Sequence, residues 1–194
     1  MRGMRSISIS FALLFFAFAS CGDNANTTPK VDASVDAPGG TPSCADYCTK
    51  VMANCTDTNK QYDNMADCTN SCQHFMLDTL GMMMMNTVGC RTYHAEAAKA
   101  NPGTHCEHAG PSGAGQCGNV CGAYCKIAEA ACSSQVGTTC SADCSSYAKV
   151  TDKPYSIAIQ SGNTAECRLY HATRAVTDPD PHCMHVGNAS STCK

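Results

Sequence analysis

Six histidines carry the chemistry that this sequence offers. Cys90-Arg91-Thr92-Tyr93-His94-Ala95 recurs as Cys167-Arg168-Leu169-Tyr170-His171-Ala172, and each stretch is followed by His-Cys-x-His, as His105, Cys106, His108 and as His182, Cys183, His185. Three neutral imidazoles with a fourth position open suit Zn²⁺, and Cu²⁺ accepts the same donors. The plainer expectation is structural. Tyr93 and His94 stand at i+3 and i+4 from Cys90, which points them inward with that cysteine, and a core Tyr–His hydrogen bond needs no metal. His105 and His108 would then simply fasten a cross-linked loop. Covalent haem lacks its attachment motif, because only Cys-x-x-x-His is present.

Met82 to Met85 form a run of thioethers that could bind copper(I) in an exported protein. The second half has no such run around Tyr155 to Ile159, so the expected role is a flexible filler or an exposed protein-contact patch. Catalytic arrangements are missing: no Gly-x-Ser-x-Gly elbow, phosphate-cradling loop, His-Glu-x-x-His or paired-carboxylate block occurs, and an enzyme is not expected. The formal net charge of −3 is dispersed without runs. Nucleic acid, which requires a basic face, is therefore not an expected partner.

What must position these residues is a framework of sulfur. Of 17 cysteines, 16 fall into two sets of nearly matching spacing. The first is Cys44, Cys48, Cys55, Cys68, Cys72, Cys90, Cys106 and Cys117; the second is Cys121, Cys125, Cys132, Cys140, Cys144, Cys167, Cys183 and Cys193. After Cys21 the chain has only three Leu, three Ile, one Phe and no Trp, too few large apolar side chains for an ordinary core. Disulfides compensate by restricting the unfolded chain, each contributing about 2–4 kcal/mol. Thiolate metal ligation is the alternative, but it needs a reducing compartment, and no Cys-x-x-Cys pair is present.

Ser43 precedes a stripe of Cys44, Tyr47, Cys48, Val51, Met52 and Cys55 at helical spacing, with Asp46 as a capping partner. Asn119 opens the counterpart stripe of Cys121, Tyr124, Cys125, Ala128 and Cys132. Asp63 is expected to cap a second helix through Met65, Cys68, Cys72 and Phe75 that ends at Gly81, answered by a shorter helix around Cys140 and Cys144. Third helices are expected to begin near Thr87 and near Asn163, the latter with Glu166 as its capping partner.

Each half thus opens with Cys-x-x-x-Cys, a turn and Cys-x-x-x-Cys again. Cysteines four apart share a helical face, so two antiparallel helices can be stapled twice. The pattern resembles the twin Cys-x-x-x-Cys hairpins of small mitochondrial intermembrane-space chaperones and plant α-hairpinins over about 25 to 30 residues per half. That resemblance implies the pairs Cys44–Cys72, Cys48–Cys68, Cys121–Cys144 and Cys125–Cys140. The remaining pairs are assigned as Cys55–Cys90, Cys106–Cys117, Cys132–Cys167 and Cys183–Cys193, one choice among the many that eight cysteines permit.

Residues 1–20, with Arg2 and Arg5 ahead of an apolar run from Ile7 to Ala19, have the layout of an export signal. Phe18-Ala19-Ser20-Cys21 resembles the lipobox of bacterial lipoproteins, with Phe18 in place of the usual Leu, while Ala17-Phe18-Ala19 resembles an ordinary secretory cleavage site. Cys21, the one cysteine outside the two sets, favours the lipoprotein reading. That resemblance implies diacylglycerol on the Cys21 sulfur and an acyl chain such as palmitate on its nitrogen, which would anchor the chain to a membrane. Gly22 in place of Asp favours the outer membrane. Residues 22–43, rich in Pro and polar residues, read as a disordered tether.

The expectation is therefore a mainly α, small disulfide-rich protein of two tandem repeats, 44–117 and 118–194, each of about three short helices plus a cross-linked loop. It would be an envelope lipoprotein with a non-catalytic binding or structural role, such as bivalent capture of another envelope protein. The alternative is a metal-binding or electron-transfer protein that uses Zn or Cu at the paired His sets.

Overall fold

The structure is a computed structural model that describes residues 40–194. The expected export signal, the acylation of Cys21 and the tether as far as residue 39 lie outside the described residues. The fold is mainly helical and disulfide-rich, with no sheet among the described residues.

The first module begins with α1 (Cys44–Asn54), whose N-terminus is capped by the Ser43 hydroxyl accepting from the Asp46 amide at 3.1 Å. α2 (Met65–Cys72) is capped by Asn64, not Asp63, and stops at Cys72 instead of running on to Gly81. The Asp63 carboxylate is engaged elsewhere, accepting from Tyr170 and pairing with Arg174. α3 (Val88–Ala97) starts where expected, with the Thr87 hydroxyl accepting from the Cys90 amide. A fourth helix, α4 (Pro102–Ala109), occupies what was expected to be loop.

The second module repeats this order. α5 (Val120–Ala131) leads through the short α6 (Ser133–Val136) to α7 (Cys140–Ser146), then α8 (Ala165–Ala175), then α9 (Pro179–His182) with a 3₁₀ turn at Cys183–His185. α8 is capped by Thr164 and not by Asn163, and Glu166 accepts from the Val150 amide instead of closing a capping box.

Eight disulfides frame the two modules. The hairpin pairs are as the resemblance implied: Cys44–Cys72 and Cys48–Cys68 join α1 to α2, and Cys121–Cys144 and Cys125–Cys140 join α5 to α7. The other four assignments are corrected. The bonds are Cys55–Cys106, Cys90–Cys117, Cys132–Cys183 and Cys167–Cys193. The reason is the packing of α1 on α3. The Asn54 side chain donates to the Ala95 carbonyl at 2.8 Å, so the end of α1 lies beside the end of α3. Cys90 is five residues back along α3, about 7–8 Å away at 1.5 Å per residue. The incoming α4 brings Cys106 to Cys55 instead, with a Cα–Cα distance of 5.5 Å.

Most of the large side chains and cystines form one core, and Ile159 with the Cys167–Cys193 bond forms a small separate cluster. Tyr47, Val51, Tyr62 and Val88 of the first module and Tyr124, Ile127, Leu169 and Val186 of the second are all buried in one continuous cluster. All described residues belong to a single compact unit. The modules are also joined by polar bonds. Ile157 donates its amide to the Lys60 carbonyl at 3.0 Å, and the buried Gln61 donates to the Tyr155 carbonyl at 3.0 Å. Asp67, fully buried on α2, accepts from Arg174 and Thr177 of the second module.

Candidate metal centre

His94 lies on α3 and His105 and His108 on α4, so the site depends on how α4 is held against α3. Pro102, at the first turn, is preorganised for a helix start, and His105 and His108 then share a face at i, i+3. The Cys55–Cys106 bond fastens the middle of α4. At its end, the Tyr47 hydroxyl donates to the Ala109 carbonyl at 2.7 Å.

Arg91 completes the attachment. Its guanidinium donates to the carbonyls of Thr87, Gly110 and Pro111 at 3.1 to 3.3 Å and lies 3.8 Å from the Phe75 ring centroid. It is fully buried, and burial pushes its pKa down. This cation is held by carbonyl dipoles and an aromatic face, which pins the start of α3 to the segment leaving α4. Gly110 is required by space: a Cβ there would stand 1.8 Å from the Gln61 Oε1.

The three rings converge. His94 and His105 approach Nδ1 to Nδ1 at 3.0 Å, and one ring nitrogen from each of His94, His105 and His108 lies within 4.8 Å of the others. The His94 Nε2 faces the Met83 carbonyl at 3.2 Å, and because a carbonyl can only accept, this nitrogen carries the proton. The His94 Nδ1 lone pair is thereby presented to His105. A backbone carbonyl on the far nitrogen is the usual orienting partner of a metal-ligating histidine. The His108 Nδ1 is buried without a hydrogen-bond partner.

The second set reproduces the paired Nδ1 atoms and the carbonyl behind the central ring, while the three-nitrogen convergence within 4.8 Å is found in the first set alone among the described histidines. His171 and His182 approach Nδ1 to Nδ1 at 3.0 Å, the His171 Nε2 faces the Gln160 carbonyl at 3.1 Å, and the His185 Nδ1 is again buried and unpartnered. The His171 and His185 ring centroids are 4.6 Å apart. The supports recur in part, with the Arg168 Nε buried and unpartnered where the Arg91 Nε donates to a carbonyl. The Tyr124 hydroxyl donates to the Val186 carbonyl at 2.6 Å, and Arg168 donates to the Thr164 carbonyl while lying over the Tyr147 ring.

Burial favours the neutral, metal-ligating form of His94, His108, His171 and His182. Burial lowers the pKa of His94 against the pull of the Met83 carbonyl, with the neighbouring His108 and His105 lowering it further. Burial likewise lowers His108, opposed by Glu107. Burial brings His171 down to about 4, and it lowers His182 with help from the Arg174 guanidinium. A tetrahedral zinc ion with bonds of about 2.0–2.1 Å holds nitrogens roughly 3.3–3.4 Å apart. The 3.0 Å approach needs only a few tenths of an ångström of opening to admit one.

The structure brings His94, His105 and His108 together and sets His171 against both His182 and His185. Sequence reasoning missed the supports: Arg91 and Arg168 were visible only as repeated residues, and the carbonyls of Met83 and Gln160 give no side-chain signal. Tyr93 is half-buried and meets His94 edge-on at 5.1 Å, so the expected core Tyr–His hydrogen bond is replaced by a ring contact. Met83, Met84 and Met85 are exposed. Cys90 and Cys117 lie near His94, and Cys167 and Cys193 near His171, but each pair is oxidised and offers no thiolate.

A family model described as the BfoA family C-terminal domain matches residues 27–121, which takes in the first module and all of the first His set. The chain is 31% identical over 81 residues to an EGF-like domain-containing protein of Acanthamoeba polyphaga mimivirus, covering 40% of this chain and 15% of that protein. It is 30% identical over 96 residues to Aurasperone B biosynthesis cluster protein A of Aspergillus niger, covering 47% of this chain and 29% of that protein. The chain thus spans less than a third of either relative's length. No solved structure matches the chain.

Proposed function

We propose that this protein is an exported metal-binding protein that holds one divalent cation in each module, at His94, His105 and His108 and at His171, His182 and His185. The observation that carries this reading is the repeated approach of two Nδ1 atoms at 3.0 Å, each time with a carbonyl on the far nitrogen of the central ring. A scaffold would need the cystines but not this matched presentation of lone pairs. The ligands are neutral nitrogens, which suits Zn²⁺ or Cu²⁺, and each His set leaves a coordination position for a small exogenous donor. The leader and Cys21 support a lipid-anchored place in the bacterial cell envelope.

Without a cation, the His105 Nδ1–H donates to the His94 Nδ1. A cation bound there would take the place of that shared hydrogen, and His105 would stay neutral by carrying its one proton on Nε2 instead of Nδ1. The test is titration of the oxidised, metal-stripped protein with Co²⁺ and Zn²⁺. The expected result is two equivalents of cobalt with a visible band of tetrahedral type, displaced by zinc. His94→Ala and His171→Ala should each remove one equivalent. A colourless protein that retains no metal would exclude the reading.

A further inference from the structure

The two His sets agree in their paired Nδ1 atoms but differ in what stands behind them. In the second module the Tyr170 ring meets His171 edge-on at 5.0 Å and His182 at 6.5 Å. Its hydroxyl donates to the Asp63 carboxylate at 3.0 Å, a residue of the first module. Arg174, one turn further along α8, holds the same carboxylate at 3.4 Å and also pairs with the buried Asp67. Thr177 donates to Asp67 as well. The carboxylate that anchors Tyr170 is therefore itself held by Arg174, and Asp67 holds Arg174 in turn.

The first module has no such clamp. The residues matching Arg174 and Thr177, 77 positions earlier, are Ala97 and Ala100. Tyr93 meets His94 at 5.1 Å, and its hydroxyl makes no hydrogen bond among the described residues. The first site is built from its own module, and the second is built across the interface.

We propose that Tyr170 is the positioning residue of the second cation site, and that Asp63 of the first module sets its orientation. The second site is then complete only while the two modules are docked, whereas the first stands by itself. Tyr170 touches no ligand position. It acts by restricting the His171 and His182 rings, so that the site is formed before the cation arrives. This inference rests on the metal-binding reading above.

The experiment is cobalt titration of the full oxidised chain, with the two sites resolved by comparison with His94→Ala and His171→Ala. Tyr170→Phe keeps the ring and removes the anchor; it should weaken the second site at least fivefold and alter its visible band, leaving the first site unchanged. Asp63→Ala should do the same. Asp63→Asn, whose amide oxygen still accepts from Tyr170, should restore most of the affinity. Tyr93→Phe should move neither site. The inference is overturned if Tyr170→Phe leaves the second site's affinity and band intact, or if both sites weaken together. Absence of bound cobalt from the unaltered protein would instead overturn the metal-binding reading, and this inference with it.

Discussion

Arg91 is the residue on which the first site turns. It is a buried cation with no carboxylate paired to it among the described residues, and it spends three donors on three backbone carbonyls. Arg91→Met should cost about 3 kcal/mol or more, because those carbonyls lose their partners in a buried place. Denaturant unfolding of the oxidised protein would measure this, and the first cation equivalent should be weakened in the same variant. The histidines set a pH dependence. With His171 brought from the ordinary 6.5 to about 4, the unfolded chain takes up a proton between those values that the folded chain does not. Stability of the metal-free protein is therefore full above about pH 6.5 and falls as pH drops toward 4, and the lowered His94, His108 and His182 add in the same direction. Thermal unfolding across that range should show the decline, and His171→Gln should flatten part of it.

Among the elements, α4 matters most because it carries two of the three clustered histidines on only eight residues. So short a helix is not stable by itself, and its place is set by the Cys55–Cys106 bond, Tyr47 and Arg91. Replacing Cys55 and Cys106 together by Ala opens a closed loop with a sequence separation of 51, which should cost about 4 kcal/mol. The first cobalt equivalent should disappear with it, while the second remains. Gly110→Ala tests the same attachment more gently. The added methyl must displace Gln61, so a loss of about 1–3 kcal/mol is expected in unfolding experiments, with weaker binding at the first site. α4 was partly legible in the sequence. Asn101-Pro102 is a helix start and Gly110 a stop, but the two histidines were read as fasteners of a loop because the four-helix order of the module had no other sign.

At the scale of the whole molecule, the two modules share one core and one buried ionic contact. Asp67→Ala removes the only carboxylate that the buried face of α2 offers to Arg174 and Thr177, and it should destabilise the protein by about 3 kcal/mol or more. Because the core is continuous, the loss should appear as a shift of a single unfolding transition and not as early melting of one half. Calorimetry of the oxidised protein checks both points.

The sequence alone determined the helical, disulfide-rich class, the two-module pattern and the hairpin cystines. These follow from local spacing: residues four apart share a helical face whatever surrounds them. Tertiary structure decided the other four disulfides, because these join elements far apart in the chain, and the approach of the end of α1 to the end of α3 is what puts Cys55 next to Cys106 and away from Cys90. It also decided that His94 and His171 present Nδ1 and not Nε2, since the carbonyls of Met83 and Gln160 that fix those tautomers belong to the backbone and leave no mark in the residue types.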